Sequence, residues 1–155
     1  MVYRIPAVNL VGRGCLAQLK DEIGTLGCKK ALVVSDKFLT ENGVVEKVTK
    51  VLDQVGIEHT LYNDVKQNPS VANVEGGLEV LKKENCDFIV SIGGGSPQDC
   101  GKAISVLATN GGKITDYEGV NKSQKKCLPI VAIATTAGTS AEVTINYVIT
   151  DEETH

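Results

Sequence analysis

A short apolar run breaks into three consecutive glycines at Asp87-Phe88-Ile89-Val90-Ser91-Ile92-Gly93-Gly94-Gly95-Ser96-Pro97-Gln98-Asp99, and this stretch constrains the fold more than any other. Phe88 to Ile92 has the apolar continuity of a strand buried on both faces. The residues behind the glycines read as a helix start. Ser96 is a good N-cap, Pro97 suits the first helical position, and Asp99 sits where it could reach back to the cap. The glycines let an anionic group approach bare backbone N–H donors, and a helix N-terminus favours negative charge there. A strand–loop–helix unit of this kind can hold a phosphate or pyrophosphate. An ordinary tight turn would need only one glycine.

The rest of the chain repeats the alternation of strand and helix. Arg4 to Gly12 reads as short extended pieces around Pro6. Leu16, Leu19, Ile23 and Leu26 recur at helical spacing, with Gly27 as a stop. Ala31-Leu32-Val33-Val34 is a short buried strand. Val44, Val48, Val51, Leu52 and Val55 mark a second helix closed by Gly56, and Ile57 to Tyr62 is another strand. After the loop Asn68-Pro69-Ser70, Ser70 can cap a helix carrying Val71, Val74, Leu78 and Leu81. The helix behind the glycines carries Ala103, Ile104 and Leu107 and ends at Asn110-Gly111-Gly112. Lys113 to Lys126 is polar and loop-like with room for one helical turn, and Leu128 to Ala134 is a further strand. The pattern predicts an α/β fold, a Rossmann-like parallel sheet flanked by helices. Ligands in such sheets bind outside the carboxyl ends of the strands. Three polar clusters fall at those ends: Ser35-Asp36, the glycines, and Thr135-Thr136.

Bulk properties narrow the function classes. The 155 residues suit one domain or a piece of a longer chain, and a net charge of -3 gives no reason to propose nucleic acid or an anionic membrane. No apolar run approaches a membrane span, and the N-terminus lacks the apolar core of a signal peptide. The five cysteines are odd in number, widely spaced and without a C-x-x-C pair, which points to a reduced, cytoplasmic compartment. His59 and His155 are the only histidines, so no metal site completes itself within these residues.

Asp36 directly follows the Ala31–Val34 strand. A carboxylate there can accept from two ribose hydroxyls of an adenosine and would repel a 2′-phosphate, favouring NAD over NADP; it can equally cap the next helix. The usual dinucleotide fingerprint places its glycines first and the acid about 20 residues later. Here the acid comes two strands before the glycines, and the last fingerprint glycine is missing. A standard Rossmann assignment is weakened, though nucleotide binding is not. The cluster Ala134-Thr135-Thr136-Ala137-Gly138-Thr139-Ser140-Ala141-Glu142-Val143-Thr144 supplies small hydroxyls that can bond phosphate, ribose or carboxamide while leaving room for a flat ring; alone, it can also be a local turn network. Lys102 lies near Asp99 on the same helix, and pairing with a carboxylate is the commoner fate of a lone lysine.

Taken together, Gly93-Gly94-Gly95-Ser96-Pro97-Gln98-Asp99 with Lys102-Ala103-Ile104, and Thr135-Thr136-Ala137-Gly138-Thr139 with Glu142-Val143-Thr144, resemble the iron-dependent, or group III, alcohol dehydrogenases. Gly12-Arg13-Gly14 fits as well, and the resemblance spans nearly the whole chain. The run AEVTINYVITDEE, Ala141 to Glu153, is especially similar to the lactaldehyde reductase branch, and Ser140-Ala141 in place of the commoner Gly-Ser agrees with it. The resemblance implies that residues 1–155 are the N-terminal NAD-binding domain of a dehydroquinate synthase-like fold, truncated before an all-helical metal-binding domain. It implies that Asp36 binds the adenosine ribose, Asn68 sits beside the nucleotide, and Gly94, Gly95 and Ser96 hold the pyrophosphate. Thr135, Thr136 and Thr139 would line the pocket toward the nicotinamide, with Val148 nearby. Iron or zinc would be held by an aspartate and three histidines of the helical domain, whose motifs are not in this chain. The whole enzyme, a homo-oligomer, would move a hydride between nicotinamide and a small alcohol or aldehyde. This fragment alone would be inactive. The alternatives are another branch acting on 1,3-propanediol, methanol or butanol, or a stand-alone nucleotide-binding module without catalysis.

Overall fold

Alternate residues of each central strand go to opposite faces, and both faces are covered. That is why these strands read as unbroken apolar runs rather than as alternating ones. Four strands pair in the order β2-β1-β3-β4: β1 (Lys30–Val34), β2 (Glu58–Tyr62), β3 (Phe88–Gly93) and β4 (Ile130–Ala134). Every pairing is parallel, with Val34 opposite Tyr62 and Ser91, and Gly93 opposite Ala134. This computed structural model describes residues 6–119 and 121–154, so Arg4 and Ile5 of the first extended piece, and His155, lie outside the described residues.

Five helices flank the sheet: α1 (Leu19–Thr25), α2 (Lys37–Glu41), α3 (Val44–Gln54), α4 (Val71–Lys83) and α5 (Gly95–Asn110). On one face Ala31, Val33, Phe88, Val90 and Ile92 pack with Leu19 and Ile23 of α1 and Val45, Val48 and Leu52 of α3. On the other, Leu32, Val34 and Ile89 pack with Val74 and Leu81 of α4 and Ala103, Ile104 and Leu107 of α5. Phe88, Leu32, Leu52 and Ile104 are fully buried. Burying each side chain of this size contributes roughly 1.5–3 kcal/mol.

The strand order decides where a ligand can sit. The chain steps from β1 outward to β2, then crosses back past β1 to β3 on its other side. The carboxyl ends of β1 and β3 are therefore neighbours whose outgoing segments diverge, which opens a crevice between them. Ser35, the residue after β1, is buried. Its hydroxyl donates to the Ile92 carbonyl at 2.9 Å, and its N–H donates to the Tyr62 carbonyl at 2.9 Å, so the three strand ends are tied together.

The predicted strands and the four long helices are present, with three local differences. The helix behind the glycines starts at Gly95, flanked by Gly94 in an extended conformation, so Ser96 lies inside its first turn instead of capping it. The Ser96 hydroxyl accepts a hydrogen bond from the backbone N–H of Asn68 at 3.2 Å. Asp99 is then too far along the helix to reach back; its Oδ2 accepts from the Val148 N–H at 3.1 Å. A short additional helix, α2, directly follows Asp36. As expected, the polar stretch after α5 carries one helical turn among its described residues, the 3-10 turn Ile114–Tyr117.

Candidate functional site

The glycine loop is built by steric necessity at one position and left open at another. Gly93 has φ +152°, and a Cβ there would come within 2.5 Å of Pro97 Cγ. Only glycine lets β3 turn so abruptly into α5. At Gly94 a Cβ would sit 3.1 Å from Thr136 Oγ1, whereas at Gly95 it would meet nothing within 4 Å. The first glycines let the backbone fold tightly, and the third leaves space beside the helix N-terminus. That terminus carries no side-chain cap. Among the described residues its first N–H groups meet no acceptor, and its dipole favours an anionic one.

Asp36 faces the same crevice from the end of β1. Its Oδ1 accepts from the Leu39 N–H at 2.8 Å and caps α2. Its Oδ2 makes no hydrogen bond among the described residues, so one carboxylate can cap a helix and still offer an oxygen to a ligand. Both readings of Asp36 are geometrically compatible. Together these segments wall an open cleft of about 630 Å³ lined by Asp36, Phe38, Val65, Gly94, Gly95 and Thr136 among others. Lys37 and Asp64 form an ion pair of 3.1 Å at its exposed rim.

Of the nine candidate residues, Asp36, Gly94, Gly95, Ser96 and Thr136 line this cleft. Asn68 joins it through its bond to Ser96; it stands at φ 55°, a conformation asparagine tolerates well. Thr135 donates its N–H to the Gly93 carbonyl at 3.0 Å, which holds the threonine loop beside the glycines. Thr139 and Val148 lie outside the cleft wall. Thr139 Oγ1 accepts from the Ala141 N–H at 3.4 Å, and Val148 is 73% exposed. The cleft also takes in Phe38, Asn63 and Lys66. Sequence reasoning missed these because Phe38 lies in a helix too short to show periodicity, and Asn63 and Lys66 lie in a connecting segment.

The segment beyond the threonine loop is latched back across the strand ends. Lys102 Nζ donates to the Asn146 carbonyl at 2.8 Å and to Thr144 Oγ1 at 3.3 Å, and lies 3.6 Å from Asp99 Oδ1. Burial pulls its pKa below the usual lysine value against the opposing pull of Asp99. Thr150 then pairs with Ser70, donating its N–H to the Pro69 carbonyl at 2.8 Å. Lys102 is therefore a structural latch. Cys100, fully buried in the core, has its thiol pushed up to about 12 by desolvation first and by Asp99 second, which makes it an inert core residue. A larger hollow of about 810 Å³ lies between Ile114–Cys127 and Ile145–Thr154. None of the strand-end residues lines it, so the smaller cleft is the candidate site.

Among the described residues no group of three or more His, Cys, Asp or Glu side chains could hold a metal ion, and His59 is engaged with Asp53 at 3.0 Å. The metal implied by the resemblance finds no ligand set there. No described helix is long and apolar enough to cross a membrane.

Comparison with known proteins places this geometry. A sequence model described as iron-containing alcohol dehydrogenase matches residues 6–155. Alcohol dehydrogenase 4 of Schizosaccharomyces pombe is 52% identical over 153 residues, covering 99% of this chain and 36% of that protein. Lactaldehyde reductase of Escherichia coli is 47% identical over 144 residues, covering 92% of this chain and 38% of that protein. Among solved structures, a 1,3-propanediol oxidoreductase superposes with a TM-score of 0.96 at 43% identity, over 99% of this chain and 40% of its own. Sulfoacetaldehyde reductase from Bifidobacterium kashiwanohense in complex with NAD+ does so with a TM-score of 0.89 at 33% identity, over 99% of this chain and 40% of its own. The chain spans about two fifths of the length of these relatives. With the family match running from Pro6 through the glycine and threonine loops, the chain belongs to the iron-containing alcohol dehydrogenase family.

Proposed function

We propose that this chain is the NAD-binding part of a metal-dependent alcohol dehydrogenase. One observation carries the reading: a free carboxylate oxygen on Asp36 and an uncapped, glycine-lined helix N-terminus share one cleft at the point where the strand order reverses. The open space at Gly95 fits a pyrophosphate against the first N–H groups of α5. Asp36 holds the adenosine ribose, Asn68 steadies Ser96 beside the phosphates, and Gly94, Gly95 and Ser96 form the cradle. Thr135, Thr136 and Thr139 extend the site toward the nicotinamide, with Val148 on the segment latched by Asp99 and Lys102. When bound, NAD supplies the hydride acceptor. This chain's residues orient it and select it over NADP. The metal ligands come from another part of the whole enzyme, and its substrate is a small alcohol or aldehyde.

The relatives carry names for different alcohols at similar identities, and the cleft contacts only the cofactor, so the substrate branch is set elsewhere. Apolar side chains exposed at Ile145 and Val148, beyond the cleft, support covering of that segment by further protein in the whole enzyme, a homo-oligomer in this proposal. Calorimetric titration of NADH into the chain tests the reading. The expected result is measurable but weak binding, without NADH formation from NAD and propane-1,2-diol in the presence of ferrous or zinc ion. Absence of NADH binding overturns the cofactor assignment, and metal-dependent turnover overturns the assignment of the chemistry to residues outside this chain.

A further inference from the structure

Phe38 is the anomaly of the cleft. It is 71% exposed, yet it sits in a short polar helix, packs into neither core cluster, and lines the cleft with Asp36, Val65 and the glycine loop. A single exposed phenylalanine needs no explanation on an open convex surface. One held on the wall of a concave site, two residues from a free carboxylate oxygen, presents a flat apolar face to whatever that carboxylate binds.

The backbone beneath it is fixed. Asp36 Oδ1 caps the turn through Leu39, the Thr40 hydroxyl donates to the Asp36 carbonyl at 2.8 Å, and Asn42 Nδ2 donates to the Phe38 carbonyl at 2.7 Å. Asp36 and Phe38 therefore belong to one rigid turn, with their Cα atoms no more than about 7 Å apart. A ribose bonded to Asp36 would carry its base on the carbon next to the bonded hydroxyls, and Phe38 is the aromatic side chain among the residues that line the cleft. The buried Val65 also lines the cleft and adds apolar surface there.

We infer that Phe38 is the stacking platform for the adenine ring, so that one turn of α2 reads both the ribose and the base of the dinucleotide. This rests on the proposed NAD site and adds the base-recognition residue to it. The side chain is solvent-facing, so its replacement leaves both cores intact.

The test is titration of NADH into the chain and into its Phe38→Ala, Phe38→Leu and Phe38→Tyr variants, with folding checked by circular dichroism. Stacking on an aromatic side chain predicts that Phe38→Ala weakens NADH binding about tenfold. Phe38→Tyr restores it, and Phe38→Leu, apolar but not flat, does not. Unchanged affinity in Phe38→Ala, or full rescue by Phe38→Leu, overturns the stacking role while leaving the NAD reading standing. Failure of the unsubstituted chain to bind NADH overturns both.

Discussion

Gln98 Nε2 donates to the Ile133 carbonyl across 3.0 Å, which pins the helix behind the glycine loop to the strand that leads into the threonine loop. The same side chain accepts from the buried Ser91 hydroxyl through Oε1, and it is 1% exposed. One carboxamide thus spans β3, β4 and α5 at the level where the ligand-facing loops begin. A buried polar group held this way stabilises only while every partner is present.

Gln98→Leu removes these two bonds and the longer one from Nε2 to the Ser91 carbonyl at 3.4 Å, and nearly keeps the volume. It leaves the buried Ser91 hydroxyl without its acceptor, a penalty of roughly 1–3 kcal/mol, and frees helix α5 from the Ile133 carbonyl. The expected outcome is a drop in Tm of about 5 °C or more in a thermal melt. A Tm equal to that of the parent chain would show that the carboxamide contributes nothing to holding the two loops together.

Gly93 and Gly95 should respond in opposite ways. Gly93→Ala places a Cβ against Pro97 at positive φ and is expected to lower Tm sharply. Gly95→Val fills space that the protein itself does not use. It is expected to hold Tm near the parent value while weakening NADH binding by roughly tenfold or more, about 1.4 kcal/mol. Calorimetry alongside thermal melting separates the two. Parent-like NADH affinity in folded Gly95→Val would move the phosphate site elsewhere.

Asp36 combines two roles that substitution can separate. Asparagine caps helices about as well as aspartate. Asp36→Asn should therefore keep Tm while losing the negative charge that repels a 2′-phosphate, so NADP affinity rises relative to NAD. Asp36→Ala loses the cap as well, at about 1 kcal/mol, and loses the ribose bonds. Charge-assisted bonds are worth roughly 1.5–3 kcal/mol, so NAD affinity should fall tenfold to a hundredfold. Titration of both cofactors into each variant is the measurement. An unchanged NAD to NADP ratio in Asp36→Asn would reduce Asp36 to a helix cap.

The ion pair between Lys30 and Glu84, 3.0 Å apart, gives a small pH dependence. The hydrogen bond from Lys30 lowers the Glu84 pKa below its ordinary value of 4.5, and the bond to Glu84 raises the Lys30 pKa above 10.5. For the depressed carboxylate, the stability is present above its unfolded pKa and fades as pH falls through the folded one. For the raised lysine, it is present below its unfolded pKa and fades as pH rises through the folded one. Glu84→Gln should lower Tm slightly at pH 7 and leave it unchanged near pH 2. Equal Tm differences at both pH values would show that the pair's charge is irrelevant.

The sheet was legible because Ala31–Val34 and Phe88–Ile92 are apolar without alternation, a pattern that requires burial on both faces. The three polar clusters were legible for the same reason, since parallel strands put all their carboxyl ends at one edge. What could not be read was non-local. Ser96 has the chemistry of a cap, but the N–H of Asn68, from another loop, claims its hydroxyl. Asp99 looks like a helix-start acid, yet its oxygens face Val148 and Lys102, the former joined to it only through the fold. Helix α2, five residues long, is too short for periodicity to reveal. Phe38 carries no signal until the fold sets it on the wall of the cleft.

The cleft draws on the core very sparingly. Of its lining residues, only Val65 and Pro97 are buried, and the others sit on loops and helix ends outside both apolar clusters. Substitutions at Asp36, Phe38, Lys66 or Thr136 therefore exchange ligand contacts with little penalty to the sheet. Cofactor preference in such a scaffold can drift by single steps through folded intermediates, because what selects the ligand and what keeps the chain folded are carried by largely separate sets of side chains.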